Sequence, residues 1–187
     1  MADKRYYMAC IDLTRRSCLV VGGGEVALEK VRGLLDCGAY ITVVAPNVEA
    51  DELRVLPIEL LERRYHSSDL EGRFLVLAAS SGNVNRAVSR DARARSLLCN
   101  VADVPDLCSF ILPAVLRRDP IVIAVSTGGA SPALAQRIRD DIADLVTGEH
   151  AELARKLREL RPWVRTHYPT YEQRRKFFAD LVASELQ

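Results

Sequence analysis

The sequence predicts an α/β fold: a parallel sheet in the first half of the chain, followed by a part that is all helical. Two observations predict it. Short apolar segments alternate with helical patterns up to about residue 101, and most of these segments are apolar at every position rather than at every second one. From residue 149 onward the pattern is helical throughout. The chain has 187 residues, of which 49% are hydrophobic and 27% charged, an ordinary globular composition.

Five predicted strands and two predicted helices make up the first half. The strands are Ser17–Val21, Tyr40–Val44, 58–63, 74–79 and 97–101. The first helix, 25–37, has an apolar face and is followed by Gly38, the residue type that most often ends a helix. The second helix is predicted over 84–94. Continuous apolar strands separated by helices indicate a sheet that is covered on both faces.

The second half begins with one further strand, predicted over 121–126 after a turn at 117–120. Ser131 and Pro132 then open a helix, because serine is a favoured N-cap and proline is favoured at the first helical position. We expect this helix to end at Gly148.

The helical tail is predicted to contain two helices, with Pro162 breaking the first and the last covering 171–186. Trp163, Phe177 and Phe178 are predicted core residues. The basic side chains of the tail are interpreted as a solvated helix surface, with a clamp for substrate carboxylates as the alternative.

Charge and cysteine content exclude several classes of protein. Lysine and arginine total 26 and aspartate and glutamate 25, so the net charge of +1 argues against a dedicated nucleic-acid binder. The apolar segments are shorter than the roughly 20 residues that a membrane span requires, and the polar residues 1–5 predict no secretory signal. Five cysteines without C-x-x-C spacing predict reduced thiols in the cytoplasm and no metal site.

The clearest motif lies between the first strand and the first helix. Residues Gly22-Gly23-Gly24-Glu25-Val26-Ala27 fit the pattern G-x-G-x-x-A. The glycines allow a tight turn and a close approach of backbone to a pyrophosphate, and the N–H groups at the helix N-terminus favour its negative charge. The motif therefore predicts a dinucleotide-binding arrangement of the Rossmann type.

The end of the second strand departs from that pattern. An aspartate or glutamate usually binds the ribose hydroxyls there, whereas this chain has Ala45-Pro46-Asn47. Because no arginine follows at once to hold a 2′-phosphate, NAD is favoured over NADP. Glu25 has two open interpretations, as a partner of the helix dipole or as a ribose contact.

A second constellation follows the fifth strand. Asp103 comes directly after that strand, and the carboxyl ends of parallel strands border the ligand crevice of such sheets. Asp103 is thus a candidate for chemistry, with a turn-capping role as the structural alternative. None of the three histidines, His66, His150 and His167, lies in a motif, so a histidine base is not expected.

Four motifs together resemble a known family. The opening G-G-G-E-V-A is followed by N-V-A-D at 100–103, S-F-I-L-P at 109–113 and V-S-T-G-G-A-S-P at 125–132. In this order they are similar to precorrin-2 dehydrogenase / sirohydrochlorin ferrochelatase, the module that also forms the amino-terminal part of sirohaem synthase. The resemblance covers the chain from about Tyr7 to Leu181.

The resemblance implies the activity and the organisation. Members oxidise precorrin-2, a tetrapyrrole, to sirohydrochlorin with NAD⁺ during sirohaem or related tetrapyrrole synthesis. The implied domains are a Rossmann NAD-binding domain at 1–112, a dimerisation segment at 113–148 and a small helical domain at 149–187, in a cytoplasmic homodimer.

The resemblance also implies site residues. Asp103 matches the family's essential aspartate. Predicted cofactor contacts are Gly22, Gly23, Gly24, Glu25, Val26, Pro46, Asn47, Ala79 and Ser80. Predicted substrate contacts are Asn100, Ser109, Ser126, Thr127 and Gly128, where Thr127 takes the place of a serine that can be phosphorylated in sirohaem synthase.

Two alternatives stay open on the sequence. Some family members also insert Fe²⁺ into sirohydrochlorin, a lyase activity, and one aspartate is invoked for both reactions. The other alternative is a non-catalytic NAD-binding sensor that regulates a partner protein; the glycine turn fits it equally well, but the segment from Ser126 to Pro132 does not.

Overall fold

The computed structural model describes residues 5–186. Residues 1–4, on which most of the expectation about a secretory signal depends, and residue 187 lie outside the described part. The chain divides between Leu112 and Pro113 into two compact units. Within residues 5–186, none of the helices combines the length and apolar content that a membrane span requires.

The first unit is a five-stranded parallel sheet with helices. Its strands are β1 (Ser17–Val21), β2 (Tyr40–Val44), β3 (Glu59–Leu61), β4 (Leu75–Ala78) and β5 (Leu98–Val101). Helix α1 (Glu25–Leu35) follows β1, and helix α2 (Gly82–Ala94) follows β4. The spatial order β3-β2-β1-β4-β5 places β1 at the centre and makes every pairing parallel. The predicted fold class is confirmed.

Alternate residues of each strand enter two separate cores. Val20 and Val43 pack with Ala27 and Val31 of α1 on one face of the sheet. The other core contains Leu19, Val44 and Val76 together with Val88 and Ala92 of α2. Because both faces are covered, the residues of β1, β2, β4 and β5 are buried from the second position onward, which explains why these strands are apolar in succession instead of alternating.

The second unit begins with a hairpin that the sequence analysis did not fully predict. Strands β6 (Ala114–Arg118) and β7 (Ile121–Val125) form an antiparallel two-stranded sheet of their own. Only β7 was predicted. Strand β6 has a mixed composition because one of its faces is exposed, at Val115 and Arg117, while Leu116 is buried.

Three helices complete this unit and correct two predictions. They are α3 (Pro132–Ala143), α4 (Gly148–His167) and α5 (Tyr171–Glu185). Gly148 does not end α3; it is the first residue of α4, after the N-cap Thr147. Pro162 does not break α4, which continues to His167. Pro162 lies on an exposed face, where water is available to the carbonyl that loses its helical partner.

The aromatic residues of the tail form a cluster at the surface. The side chain of Trp163 is not in the core: it is 47% exposed and stacks on His167 with ring centroids 4.2 Å apart. Phe177 and Phe178 are half-buried and contact each other edge to face. The prediction of a core role for Trp163 was wrong because its neighbour Val164 takes the fully buried position.

Candidate functional site

The strand register brings four loops to one edge of the first unit. Val21 pairs with Val44 on one side and with Ala78 on the other, and Ala78 pairs in turn with Val101. These residues end β1, β2, β4 and β5, so the loops that follow them leave the sheet side by side. Neighbouring strands are about 4.8 Å apart, which places the loop after β5 roughly 10 Å across the edge from the glycine turn after β1.

The glycine turn is packed against both neighbouring loops. Gly22 has a φ of +139°, a region that side chains disfavour, and its N–H donates to the carbonyl of Val44. A Cβ atom on Gly22 would lie 2.1 Å from the carbonyl oxygen of Ala79, and one on Gly23 would lie 2.3 Å from that of Asn47. The first two glycines are therefore required by the protein's own backbone, whatever ligand binds there.

The N-terminus of α1 fits a pyrophosphate. Gly24 is the N-cap and supplies no side-chain hydrogen bond, unlike Ser131 and Thr170, which cap α3 and α5. The first N–H groups of a helix have no partner within it, so those that follow Gly24 are available to a phosphate. Glu25 and Val26 are exposed at this end, and the fully buried Ala27 lets the helix pack closely on the sheet. These residues are suited to hold the dinucleotide of NAD.

The loop after β2 contains a carboxylate that the sequence analysis did not weigh. Pro46 and Asn47 are exposed, but the N–H groups of Glu49 and Ala50 both donate to the carbonyl of Gly23, at 2.8 and 2.9 Å. This arrangement places Oε2 of Glu49 at 3.4 Å from the position of a Cβ on Gly24. The signal that could have found it is the acidic residue expected roughly 20 residues beyond such a glycine motif, because Glu49 lies 25 residues after Gly24.

The loop after β4 is braced by a buried asparagine. Asn85, in the first turn of α2, accepts a hydrogen bond from the N–H of Ser80 and donates one to its carbonyl, both at 3.0 Å. Ala79 continues the ladder by donating to the carbonyl of Val21. Asn85 was not among the predicted residues, and it fixes the position of one that was, Ser80.

The loop after β5 presents Asp103. The N–H of Ala102 donates to the carbonyl of Ala78, and the next residue, Asp103, adopts a left-handed conformation with a φ of +59°. Its side chain is exposed. Non-glycine residues in this conformation are uncommon and concentrate at functional sites and turns.

Two predicted substrate contacts instead bond to backbone. Asn100 is 8% exposed, and its amide donates to the carbonyl of Phe110 at 3.1 Å. The hydroxyl of Ser109 accepts from the N–H of Cys99 and donates to its carbonyl. Both side chains hold the segment after Leu107 against β5, and their contact with a substrate stays a prediction.

The thiols beside this segment are structural. Cys108 donates to the carbonyls of Val101 and Val104. Burial raises the pKa of the Cys99 thiol to about 11, so it stays protonated at neutral pH. No disulfide joins any two of the five cysteines, all of which lie within residues 5–186.

The remaining predicted substrate contacts lie in the second unit. Thr127 uses its hydroxyl twice on Ser131, accepting from the N–H at 2.9 Å and donating to the carbonyl at 3.0 Å. Ser126 accepts from the N–H of Gly128, whose φ is +66°. These bonds close the loop that leads into α3. Within residues 5–186, no group of three or more histidine, cysteine, aspartate or glutamate side chains is arranged to hold a metal ion.

Known proteins resemble this chain over most of its length. A siroheme synthase of Methylobacillus flagellatus is 42% identical over 173 residues, which are 90% of this chain and 37% of that protein. A siroheme synthase of Pseudomonas fluorescens is 44% identical over 168 residues, 87% of this chain and 36% of that protein. The chain thus spans a little more than a third of the length of these relatives.

A solved structure described as "SirC, precorrin-2 dehydrogenase" has the same fold. It matches with a TM-score of 0.77 and 28% sequence identity, over 97% of this chain and 93% of the other.

Fold and glycine turn define the class: an NAD(P)-binding protein with a Rossmann-like sheet. Residues 9–114 match the family described as putative NAD(P)-binding, and residues 118–145 match the central segment of sirohaem biosynthesis proteins. The chain belongs to the precorrin-2 dehydrogenase / sirohydrochlorin ferrochelatase family, as the sequence motifs predicted.

Proposed function

We propose that this protein oxidises precorrin-2 to sirohydrochlorin with NAD⁺, in the synthesis of sirohaem or a related tetrapyrrole. The observation that carries the proposal is the juxtaposition of the glycine turn and Asp103 at one edge of a single parallel sheet. The similarity to siroheme synthases and to a precorrin-2 dehydrogenase supports the substrate.

The glycine turn and its neighbours bind the cofactor. The uncapped N-terminus of α1 holds the pyrophosphate, and the loops after β2 and β4 border it on either side. Bound NAD⁺ supplies the chemistry of hydride acceptance. Because Asn85 and the carbonyl of Gly23 fix these loops before the cofactor arrives, little conformational freedom is lost on binding.

Asp103 acts at the substrate. Oxidation removes one hydride and one proton from precorrin-2; bound NAD⁺ would supply the hydride acceptor, and the carboxylate of Asp103 would accept the proton. The left-handed backbone at Asp103 turns the chain just beyond the hydrogen bond between Ala102 and Ala78, so the carboxylate stands at the sheet edge instead of continuing the strand. The main contribution of the protein is to orient the substrate against the cofactor.

An anaerobic assay tests the proposal. Purified protein with precorrin-2 and NAD⁺ should form NADH, which is measured by its absorbance, and omission of either reactant should abolish NADH formation.

Variants of two aspartates test the role of Asp103. Asp103→Asn should lower the rate at least a hundredfold, the lower end of the usual contribution of general acid–base catalysis. Asp106→Asn alters another exposed aspartate nearby in the chain and should leave the rate within twofold. No turnover by the unaltered protein would refute the function, and equal rates for the two variants would refute the role of Asp103. Metallation of sirohydrochlorin with Fe²⁺, measured with the same variants, tests the lyase activity.

The proposal includes a cytoplasmic homodimer with a dimerisation segment at 113–148. One face of the β6–β7 hairpin exposes Val115, Val122 and Ala124 beside Arg117, since Val115 pairs with Ala124 and Arg117 with Val122. A mainly apolar sheet face of this kind is typical of a subunit interface. Sedimentation velocity on the full chain tests it, with a monomer as the contrary result. Five cysteines without a disulfide within residues 5–186 are consistent with a reducing compartment.

A further inference from the structure

The segment after β2 is locked onto the glycine turn. The carbonyl of Gly23 accepts from two successive N–H groups, those of Glu49 and Ala50. The same segment leaves no room at Gly23, where an added Cβ would lie 2.3 Å from the carbonyl oxygen of Asn47 and 3.1 Å from Cα of Val48. Ala50 is buried at 3% exposure, which anchors the far end. The backbone that carries Glu49 therefore has a single position relative to the turn.

That position puts the carboxylate of Glu49 beside Gly24. Its Oε2 lies 3.4 Å from where a Cβ on Gly24 would be, and Gly24 caps the helix that receives the pyrophosphate. Glu49 is exposed and forms no salt bridge with any of residues 5–186. Both oxygens are thus available as acceptors for a ligand that lies over the turn.

The charges around this carboxylate disfavour a phosphate. Asp51 and Glu52 follow Glu49 in the chain. The two guanidinium groups in contact with this segment are already paired, that of Arg32 with Glu52 and that of Arg54 with Glu62. A phosphate beside Glu49 would meet negative charge, whereas a pair of hydroxyls would meet an acceptor.

We propose that Glu49 binds the adenosine ribose hydroxyls and makes the site selective for NAD over NADP. The residues just after β2, Pro46 and Asn47, have no acidic side chain to accept hydrogen bonds from the ribose hydroxyls. Glu49 supplies this acceptor from a position further along the loop. The inference deepens the proposed function and rests on its NAD site. Glu49 is a specificity residue and takes no part in hydride or proton transfer.

Calorimetric titration with NAD⁺ and NADP⁺ tests the inference without turnover. The unaltered protein should bind NAD⁺ at least tenfold more tightly than NADP⁺. Glu49→Gln should weaken NAD⁺ binding about tenfold or more, the usual loss for hydrogen bonds to a charged group, and should leave NADP⁺ binding equal or stronger. Glu49→Arg should reverse the preference. Asp51→Asn, a matched control on the same segment with 96% of its side chain exposed, should leave both affinities within twofold.

The outcomes distinguish a failure of the proposed function from a failure of the assignment of Glu49. If the unaltered protein binds neither dinucleotide, the proposed function fails and this inference with it. If it binds NAD⁺ and the ratio of the two affinities is the same in Glu49→Gln, only the inference is overturned. An equal gain for both cofactors in Glu49→Gln also overturns it, since the carboxylate would then compete with the pyrophosphate. Far-UV circular dichroism and thermal unfolding confirm that each variant is folded.

Discussion

Replacement of Gly22 by alanine is the sharpest test of the glycine turn. An added Cβ would lie 2.1 Å from the carbonyl oxygen and 2.7 Å from the carbonyl carbon of Ala79, whereas Cβ atoms essentially never come within 3.0 Å of another heavy atom. The backbone of Ala79 cannot move easily, because its N–H donates to the carbonyl of Val21. The preceding residue, Ala78, is also buried. The substitution must therefore displace backbone by about 1 Å or distort the turn.

The expected loss of stability has two parts. Overpacking of this kind destabilises by about 1–3 kcal/mol. The φ of +139° adds about 1–3 kcal/mol, since alanine rarely adopts it. We expect Gly22→Ala to lower the free energy of unfolding by about 2–6 kcal/mol, a large share of the 5–15 kcal/mol typical of a domain. The affinity for NAD⁺ should fall as well.

Urea unfolding followed by far-UV circular dichroism measures the effect. The single tryptophan, Trp163, belongs to the second unit, whereas circular dichroism also reports on α1 and α2 of the first. Gly33→Ala is the control: it lies within α1 with nothing within 4 Å of its added Cβ and should stabilise by about 0.5–1 kcal/mol. A Gly22→Ala protein within about 0.5 kcal/mol of the parent would refute the reasoning that the turn is closed by Ala79.

Two further predictions concern positions away from the turn. Asp69 accepts one hydrogen bond from each of the two terminal guanidinium nitrogens of Arg63, and these bonds hold the pKa of the Asp69 carboxyl below its usual range. The stability this gives is present above the carboxyl's unfolded pKa of about 3.9 and is lost as the pH falls through its lower folded pKa. Asp69→Asn should therefore cost about 1–2 kcal/mol at pH 7 and almost nothing at very low pH; a pH-independent difference in urea unfolding would contradict this. Thr127→Val leaves the N–H of Ser131 without its acceptor and should destabilise the second unit by about 1 kcal/mol, whereas Thr127→Ser should not. Urea unfolding followed by Trp163 fluorescence measures the stability of both variants. Equal unfolding midpoints would contradict a stabilising role of the hydrogen bond from the N–H of Ser131 to the hydroxyl of Thr127.

Much of the first unit was predictable from the sequence because its pattern is local. Each parallel strand is a continuous apolar segment, and each helix is limited by residues with clear backbone preferences, such as Gly38, which has a φ of +72° after α1. The glycine motif was found for the same reason, since its residues are adjacent in the chain. The position of Asp103 at the sheet edge also followed from the rule that parallel strands end together.

Predictions failed where the outcome depends on the tertiary surroundings of a residue, that is, on strand pairing, solvent exposure or burial. Strand β6 was missed because a strand with one exposed face has no continuous apolar pattern, and it was recognisable only beside β7. Pro162 was expected to break a helix, but α4 continues through it to His167. Pro162 lies on the exposed face of α4, where water can replace the lost helical hydrogen bond. Trp163 was assigned to the core by its residue type, yet Val164 occupies the buried position.

The residues alone were enough to identify the class of fold, from apolar segments that alternate with helices, and the cofactor turn and the family, from short motifs in a fixed order. Which polar side chains remain free is visible only in the folded chain. Asn100 and Ser109 are occupied by backbone groups of a neighbouring segment, while Glu49, outside every motif, is placed beside the turn. The physical reason is that hydrogen bonds and close approaches join residues far apart in the chain. No local pattern of residue types specifies which partners will meet.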